Sequence, residues 1–332
     1  MINWLKIGFL LVVLNIAGVS QAAVPSGPTI APREQSSQQA NKGVVGVITG
    51  GVNGTYIRIA ADMATVLDTD NLRILAMIGK GSVQNINDLL YLKGVDMAIV
   101  QSDVLEYLKR QGTYPNIEKR IYYITKLYNE ELHLLANSGI NSLSDLSGRK
   151  VNFDTKGSGT FITASIIFEM LKISVEPTYY DQATALEKLK RGEIDALVYV
   201  AGKPAQLFEK LTVADSLHFI SIDHTPPLLE TYLPTQLNSQ DYPSLIKVDQ
   251  NVKTVAVGAV LAVYNWERQN ARYSKVANFV DYFFGRFNEF QQPGRHPTWR
   301  EGSVLSDSPA LFAFKYHSAA WTGSGRNPLI PS

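Results

Sequence analysis

GVVGVITGGVNGTYIRIAADMATVLD (Gly43 to Asp68) decides how the chain is read. Its first seven residues are an apolar run with β-branched side chains, which predicts a strand. From Ile57 the apolar positions recur at helical spacing. Between them lies Gly50-Gly51-Val52-Asn53-Gly54-Thr55-Tyr56, a glycine-rich turn that opens on a helix N-terminus. Such a turn leaves backbone N–H groups without intrahelical partners and suits an anion. It is equally the shape of an ordinary βα connection, so the rest of the chain must decide between the two.

The same rhythm continues outward from it. Strands are predicted at 43–49, 72–77 and 95–100, with helices at 54–67, 82–92 and 101–111 between and after them. This βαβαβ order predicts a parallel sheet with helices on both faces. Ile121 to Tyr128 reads as a further strand. The pattern restarts with VNF (Val151 to Phe153), a second glycine-rich turn KGSGT (Lys156 to Thr160) and a helix over 160–172. Strand 175–180, helix 182–191 and strand 194–200 follow. Thr254 to Tyr264 reads as a strand returning to the first lobe. One long helix over 270–290 and a terminal one over 308–320 complete the pattern. Ligands of open α/β sheets lie beyond the carboxyl ends of the strands. Two such lobes joined by crossings near 128–136 and 249–256 would face each other across a cleft.

Composition limits the function classes. Residues 1–22 have a lysine (Lys6), an apolar run from Ile7 to Val19 and small residues at Ser20 and Ala22, the pattern of a cleaved export signal. Residues 23–42 are rich in Pro, Ser and Gln and read as a disordered leader. The 332 residues carry 31 Lys+Arg and 30 Asp+Glu. Loss of the signal removes Lys6 alone among the charged residues and leaves a neutral chain, with no long-range attraction to nucleic acid. There is no cysteine, so disulfides and a lipoprotein anchor are excluded.

Five runs in order, TGGVNGTY (49–56), GKGSVQNINDL (79–89), DMAIVQSD (96–103), LSGRKVNFDTKGSGT (146–160) and EIDALVYVAGKP (193–204), carry a family resemblance. HPTWRE (296–301) adds to it. The chain resembles the TAXI-type solute-binding receptors of TRAP transporters over about 43–320. The resemblance implies an α/β, two-lobed type II periplasmic-binding-protein clamshell, each lobe a mostly parallel sheet flanked by helices. Lobe I would comprise 43–136 plus 249–332, and lobe II 137–248. It also implies a periplasmic receptor that captures a small anionic or zwitterionic solute, a carboxylate or a glutamate-like amino acid, and delivers it to a TRAP membrane permease. No cofactor and no metal are implied.

Carried onto this sequence, the first turn offers Asn53, Gly54, Thr55 and Tyr56 to the ligand. Thr55 is otherwise a plain N-cap and Tyr56 a packing residue. Ser82 opens the second helix, as a cap or a ligand donor. Gln101 and Ser102 stand at the carboxyl end of the third strand. Gly157, Ser158, Gly159 and Thr160 mirror the first turn from the other lobe, and Tyr199 ends the strand IDALVYV. Glu130, near the first crossing, would hold a substrate ammonium or be a solvated hinge residue. Lys203 departs from the family pattern and would be solvated or pair with an acidic ligand group. Arg58 and Arg73 lie in no identifying run.

Enzyme readings find little. There is no G-x-S-x-G, no Walker A and no complete G-x-G-x-x-G. The five histidines (133, 218, 224, 296 and 317) contain no i,i+4 pair. A ligand-sensing protein that docks a membrane sensor is the alternative to a transport receptor, with an enzyme on the same fold behind both.

Overall fold

In the computed structural model, residues 43–300 are described. The signal, the leader and the terminal helix expected over 308–320 lie outside them. Ten strands form one continuous sheet. β1 (Val44–Ile48), β2 (Arg73–Met77) and β3 (Met97–Gln101) alternate with α1 (Thr55–Leu67), α2 (Ser82–Tyr91) and α3 (Ser102–Arg110), as their periodicity predicts. After the short α4 (Ile117–Arg120) comes β4 (Ile121–Asn137). Then β5 (Lys150–Asn152), α5 (Gly159–Met170), β6 (Glu176–Thr178), α6 (Gln182–Lys190) and β7 (Ala196–Ala201) repeat the alternation. β8 (Leu217–Phe219), α7 (Pro226–Leu229), β9 (Leu233–Asn238), β10 (Asn251–Tyr264), α8 (Ala271–Gly285) and α9 (Phe287–Phe290) complete the described chain.

The strand order is β2-β1-β3-β10-β4-β7-β5-β6, with β8 beside β4 and β9 beside β10. β1 is parallel to β2 and β3, and β5 to β6 and β7. β10 and β4 are antiparallel to their neighbours. The sheet is therefore mixed: parallel in its two outer thirds, antiparallel where the long strands run through the middle.

Both faces of each end of the sheet are covered. α1 turns Tyr56, Ile59, Ala60, Met63, Val66 and Leu67 inward at i, i+3 and i+4 spacing. They pack with Phe279, Phe283 and Phe290 from α8 and α9. Ile86, Leu89 and Val104 of α2 and α3 cover the opposite face. At the other end α5 contributes Ala164, Ile167 and Phe168, and α6 contributes Ala185, Leu186 and Leu189.

One expectation is filled in and another corrected. The crossings near 128–136 and 249–256 run as strands. β4 and β10 pass from one end of the sheet to the other as unbroken strands, because an apolar residue occurs at nearly every position through Leu132–Ala136 and Val255–Val263. The helix expected over 270–290 is two, broken at Arg286, whose backbone (φ −113°, ψ 18°) leaves the helical region. There the Phe287 and Phe290 rings turn onto Trp299.

Candidate functional site

β1, β2 and β3 all end on one edge, and each leads to a helix N-terminus, β1 and β2 through short glycine-containing turns and β3 with no intervening residue. None of these three helices is capped by a side chain. Gly54 stands at the N-cap of α1, Gly81 at that of α2 and Gln101 at that of α3, each without a side-chain bond. Their first N–H groups therefore have no N-cap side chain along this edge, although that of Val83 is taken by Gly157 O. Thr55 is not the cap of α1 but its first helical residue. On the other side of the cleft Ser158 does cap α5, its Oγ accepting from Phe161 N at 3.1 Å.

The two glycine-rich edges touch. Val83 N donates to Gly157 O across the cleft at 3.2 Å. At Gly81, with φ +116°, an added Cβ would stand 3.2 Å from the Ser158 Cα. At Gly159 it would stand 2.9 Å from the Ser82 Oγ and closer still to the Gln101 side chain. Glycine is required at both positions by that approach, and at Gly81 by the backbone angle as well. Ser82 Oγ accepts from Gln101 N at 2.9 Å, joining the second turn to the end of β3.

Beneath these turns lies a group of phenols around one carboxylate. Tyr128 and Glu130 are two apart on β4 and share a face of the strand. Tyr56 OH donates to Glu130 Oε2 at 2.8 Å, and Tyr128 OH donates to Oε1 at 3.2 Å. The Tyr56 and Tyr128 rings meet edge to face at 6.5 Å. Gln101 also hydrogen-bonds Glu130, and the Tyr199 phenol lies within its field. Glu130 is 3 % exposed, so it is no solvated hinge residue. Burial pushes its carboxyl up to about 8, against the pull of its hydrogen bonds. The Tyr56, Tyr128 and Tyr199 phenols are all raised above their ordinary value, first by burial and next by the charge of Glu130.

Two further acids border this group. Asp103, in the first turn of α3, accepts at Oδ2 from Thr163 Oγ1 (2.7 Å) and Tyr232 OH (3.1 Å), both from the far side of the cleft. Its Oδ1 is buried with no partner. Asp154, at φ +67° just before the KGSGT turn, lies within the field of Tyr199. Burial raises both carboxyls to about 6.

The expected residues fall in different places. Tyr56, Gln101 and Tyr199 border Glu130, Ser82 and Gly159 meet Gln101, and Gly157 and Ser158 meet Val83 and Gly81 across the cleft. Thr160 stands beside them, but its Oγ1 accepts from Val200 N at 3.1 Å and so secures β7. Gly54 and Thr55 form the helix start, with the Thr55 methyl turned toward Gly202. Asn53 is exposed at the tip of its turn. Ser102 turns its hydroxyl toward Gly258 on β10, and its carbonyl accepts from Tyr123 OH.

Lys203 corrects both readings offered for it. It is 16 % exposed in its side chain and donates to Asp241 Oδ2 (3.2 Å) and Gln236 O (2.9 Å). Arg58 is exposed, and Arg73 pairs with Asp68 on the surface. His133 is buried, donating from Nδ1 to Tyr199 O and accepting at Nε2 from Tyr242 OH. Burial lowers it to about 4, so it is neutral scaffolding. Among the described residues no group of three or more His, Asp or Glu side chains is placed to hold a metal. None of their helices is long and apolar enough to cross a membrane.

Asp103, Tyr128, Asp154, Thr163 and Tyr232 were missed. The signal for the strand residues is YNEE (128–131), polar side chains in the middle of a strand that is otherwise apolar. The signal for Asp103 is its place directly after Gln101 and Ser102.

The fold is a mixed sheet between flanking helices, edged by facing glycine-rich turns. The chain belongs to the NMT1-like family, whose model matches residues 47–276. Among solved structures it is similar to a substrate-binding protein of an ABC uptake transporter from Streptococcus pneumoniae with bound histidine. That similarity has 13% identity, 82% of this chain and 98% of that one, and a TM-score of 0.49. It is also similar to a putative periplasmic sulfonate-binding protein from Methylobacillus flagellatus (12% identity, 76% and 70%, TM-score 0.46). A third is an ancestral arginine-binding protein bound to arginine (15% identity, 74% and 99%, TM-score 0.43).

Proposed function

We propose that this chain is the extracytoplasmic receptor of a TRAP-type secondary transporter, exported by its first 22 residues. It captures a small carboxylate or amino acid of glutamate-like size and hands it to the membrane permease. Residues 43–136 with 249–332 act as one lobe and 137–248 as the other, closing on the solute. The observation that carries the reading is the convergence of three uncapped helix N-termini on one side of a cleft with the Ser158-capped start of α5 and buried hydroxyls on the other, with Glu130 between them. Uncapped N-termini favour a ligand carboxylate, each by about 0.3–1 kcal/mol and by more once water is excluded. Solute binding shifts the equilibrium toward the closed form, which the permease reads.

Thermal melting against amino acids and organic acids tests the binding role. A ligand present at 100 times its Kd stabilises by about 2.7 kcal/mol, or roughly 5–10 °C for a chain of this size. Capture of the permease subunits by the ligand-loaded form, and not by the empty one, tests the transport role. Capture of a sensor kinase instead would favour the signalling alternative.

A further inference from the structure

We propose that the solute carries a cationic nitrogen, an ammonium or guanidinium group, seated against Glu130 between the Tyr56, Tyr128 and Tyr199 phenols. This rests on the receptor reading above and names the solute class of that site. The protein would thus take amino acids or amines and reject carboxylic acids that lack the nitrogen.

Charge placement argues for it. Glu130, Asp103 and Asp154 border the same cleft, and Glu130 and Asp103 are 3 % and 9 % exposed. Among the described residues no ion pair reaches any of the three. Among the basic side chains around the turns, Lys126 runs along Gly258 beside the Ser102 hydroxyl. Lys203 is held by Asp241, Lys156 lies over the Tyr179 ring at the surface, and Lys80 and Arg58 are exposed. Glu130 itself is bordered by phenols, an amide and a second acid rather than by a cation.

Asp103 supplies an independent sign of a missing donor. Its Oδ2 takes two hydroxyl donors from across the cleft, while Oδ1 is buried without a full hydrogen bond, the N–H groups of Asp103 and Val104 in its own helix turn acting on the carboxyl only weakly. Buried carboxylate oxygens are ordinarily satisfied. Asp103 acts electrostatically on both Glu130 and Tyr56, so its unmet oxygen belongs to the same polar group. Glu130 itself spends three of its roughly four lone-pair sites, two on tyrosines and one on the Gln101 amide, leaving about one for a ligand N–H.

The raised carboxyl of Glu130 gives the binding a signature. The titratable groups facing it are Tyr56 from α1, Asp103 from α3, Tyr128 from its own strand and Tyr199 from β7. All are acids, so without a cation Glu130 holds its proton at neutral pH. A seated ammonium restores the carboxylate and expels that proton to buffer.

The test uses matched pairs on the whole protein: L-glutamate with glutarate, L-alanine with propionate, 4-aminobutyrate with butyrate, and L-arginine and putrescine alone. Melting and titration calorimetry should show a nitrogen-bearing probe binding at least tenfold more tightly than its acid partner. Calorimetry in buffers of different ionisation enthalpy at pH 7 should show release of close to one proton per bound ligand. Release should fall toward zero at pH 9.5. Glu130→Gln should abolish the release and weaken the nitrogen-bearing ligand at least tenfold, while melting at pH 5 stays within a few degrees. Should that variant fail to fold, Asp154→Asn should weaken the same ligand and leave the acids unaffected. A des-amino acid binding as well as its partner, or binding without proton release, overturns the inference alone. Failure of every probe to bind overturns the receptor reading and the inference with it.

Discussion

Replacing Glu130 with Gln in the ligand-free protein should change how stability depends on pH more than stability itself. The carboxyl titrates near 4.5 in the unfolded chain and at about 8 in the fold, raised chiefly by burial. The folded state therefore holds this proton more tightly. The contribution is fully present below pH 4.5 and is lost as pH rises through 8. The interval of about 3.5 units, at 1.36 kcal/mol each, is worth about 5 kcal/mol of stability lost between pH 4.5 and alkaline pH. Glutamine keeps the shape and a carbonyl for the Tyr56 hydroxyl, but never ionises. At pH 5 the two proteins should unfold in urea within about 1 kcal/mol of each other. At pH 9 the variant should be the more stable by several kcal/mol, with a melting temperature roughly 10 °C higher. Asp103 and Asp154 remain in the variant and, raised to about 6, leave it a shallower slope centred at lower pH. A difference between the two proteins that is the same at pH 5 and pH 9 would refute the idea that Glu130 is buried without a compensating cation.

Other perturbations reach the same cleft from different sides. Gly159→Ala pushes a methyl into Gln101 and Ser82 and should weaken solute binding at least tenfold and cost about 1–3 kcal/mol of unligated stability in urea, while circular dichroism keeps its native form. Tyr232→Phe removes a donor to Asp103 from across the cleft. It should cost about 1.5–3 kcal/mol of solute binding, seen as a faster off-rate in stopped-flow fluorescence. Lys203→Met leaves Asp241 and the Gln236 carbonyl without their cation and should destabilise the fold by about 2 kcal/mol in urea. Its effect on solute affinity should be under twofold, because Lys203 does not face the ligand.

Much of the fold was legible because its signals are local. The alternation from Gly43 to Arg110 needs only apolar spacing and glycine, and each strand and helix there falls within two residues of its expected bounds. What escaped depends on pairing between distant segments. Tyr128 to Ala136 was read as a crossing because YNEE interrupts the apolar run. In the sheet those residues stay extended, since β7 and β10 supply ladder partners on either side. The same interruption hid the site. Glycine-rich turns announce close backbone approach, and Gly157 and Gly159 do meet the opposite turn. Glu130 lies 26 residues before the second turn opens at Lys156, and only the fold brings it to Gln101, which Gly159 also meets. Lys203 misled for the opposite reason: its partner Asp241 lies 38 residues away in a loop without a motif.

β4 and β10 have a mechanical consequence where they change partners. Along β10 the pairing passes from β3, through Ala259–Val263, to β9, through Asn251–Ala256. Along β4 the pairing with β7 begins at Glu131. Glu130 faces Val257 at that changeover. If the two ends of the sheet swing, the ladder twists about this stretch, as a strip held at both ends turns least at its centre. The carboxylate thus stands near the pivot and the glycine turns near the tips of the levers. A solute anchored at Glu130 would stay nearly still as the turns sweep in, so its nitrogen is recognised before closure and its remaining atoms during it.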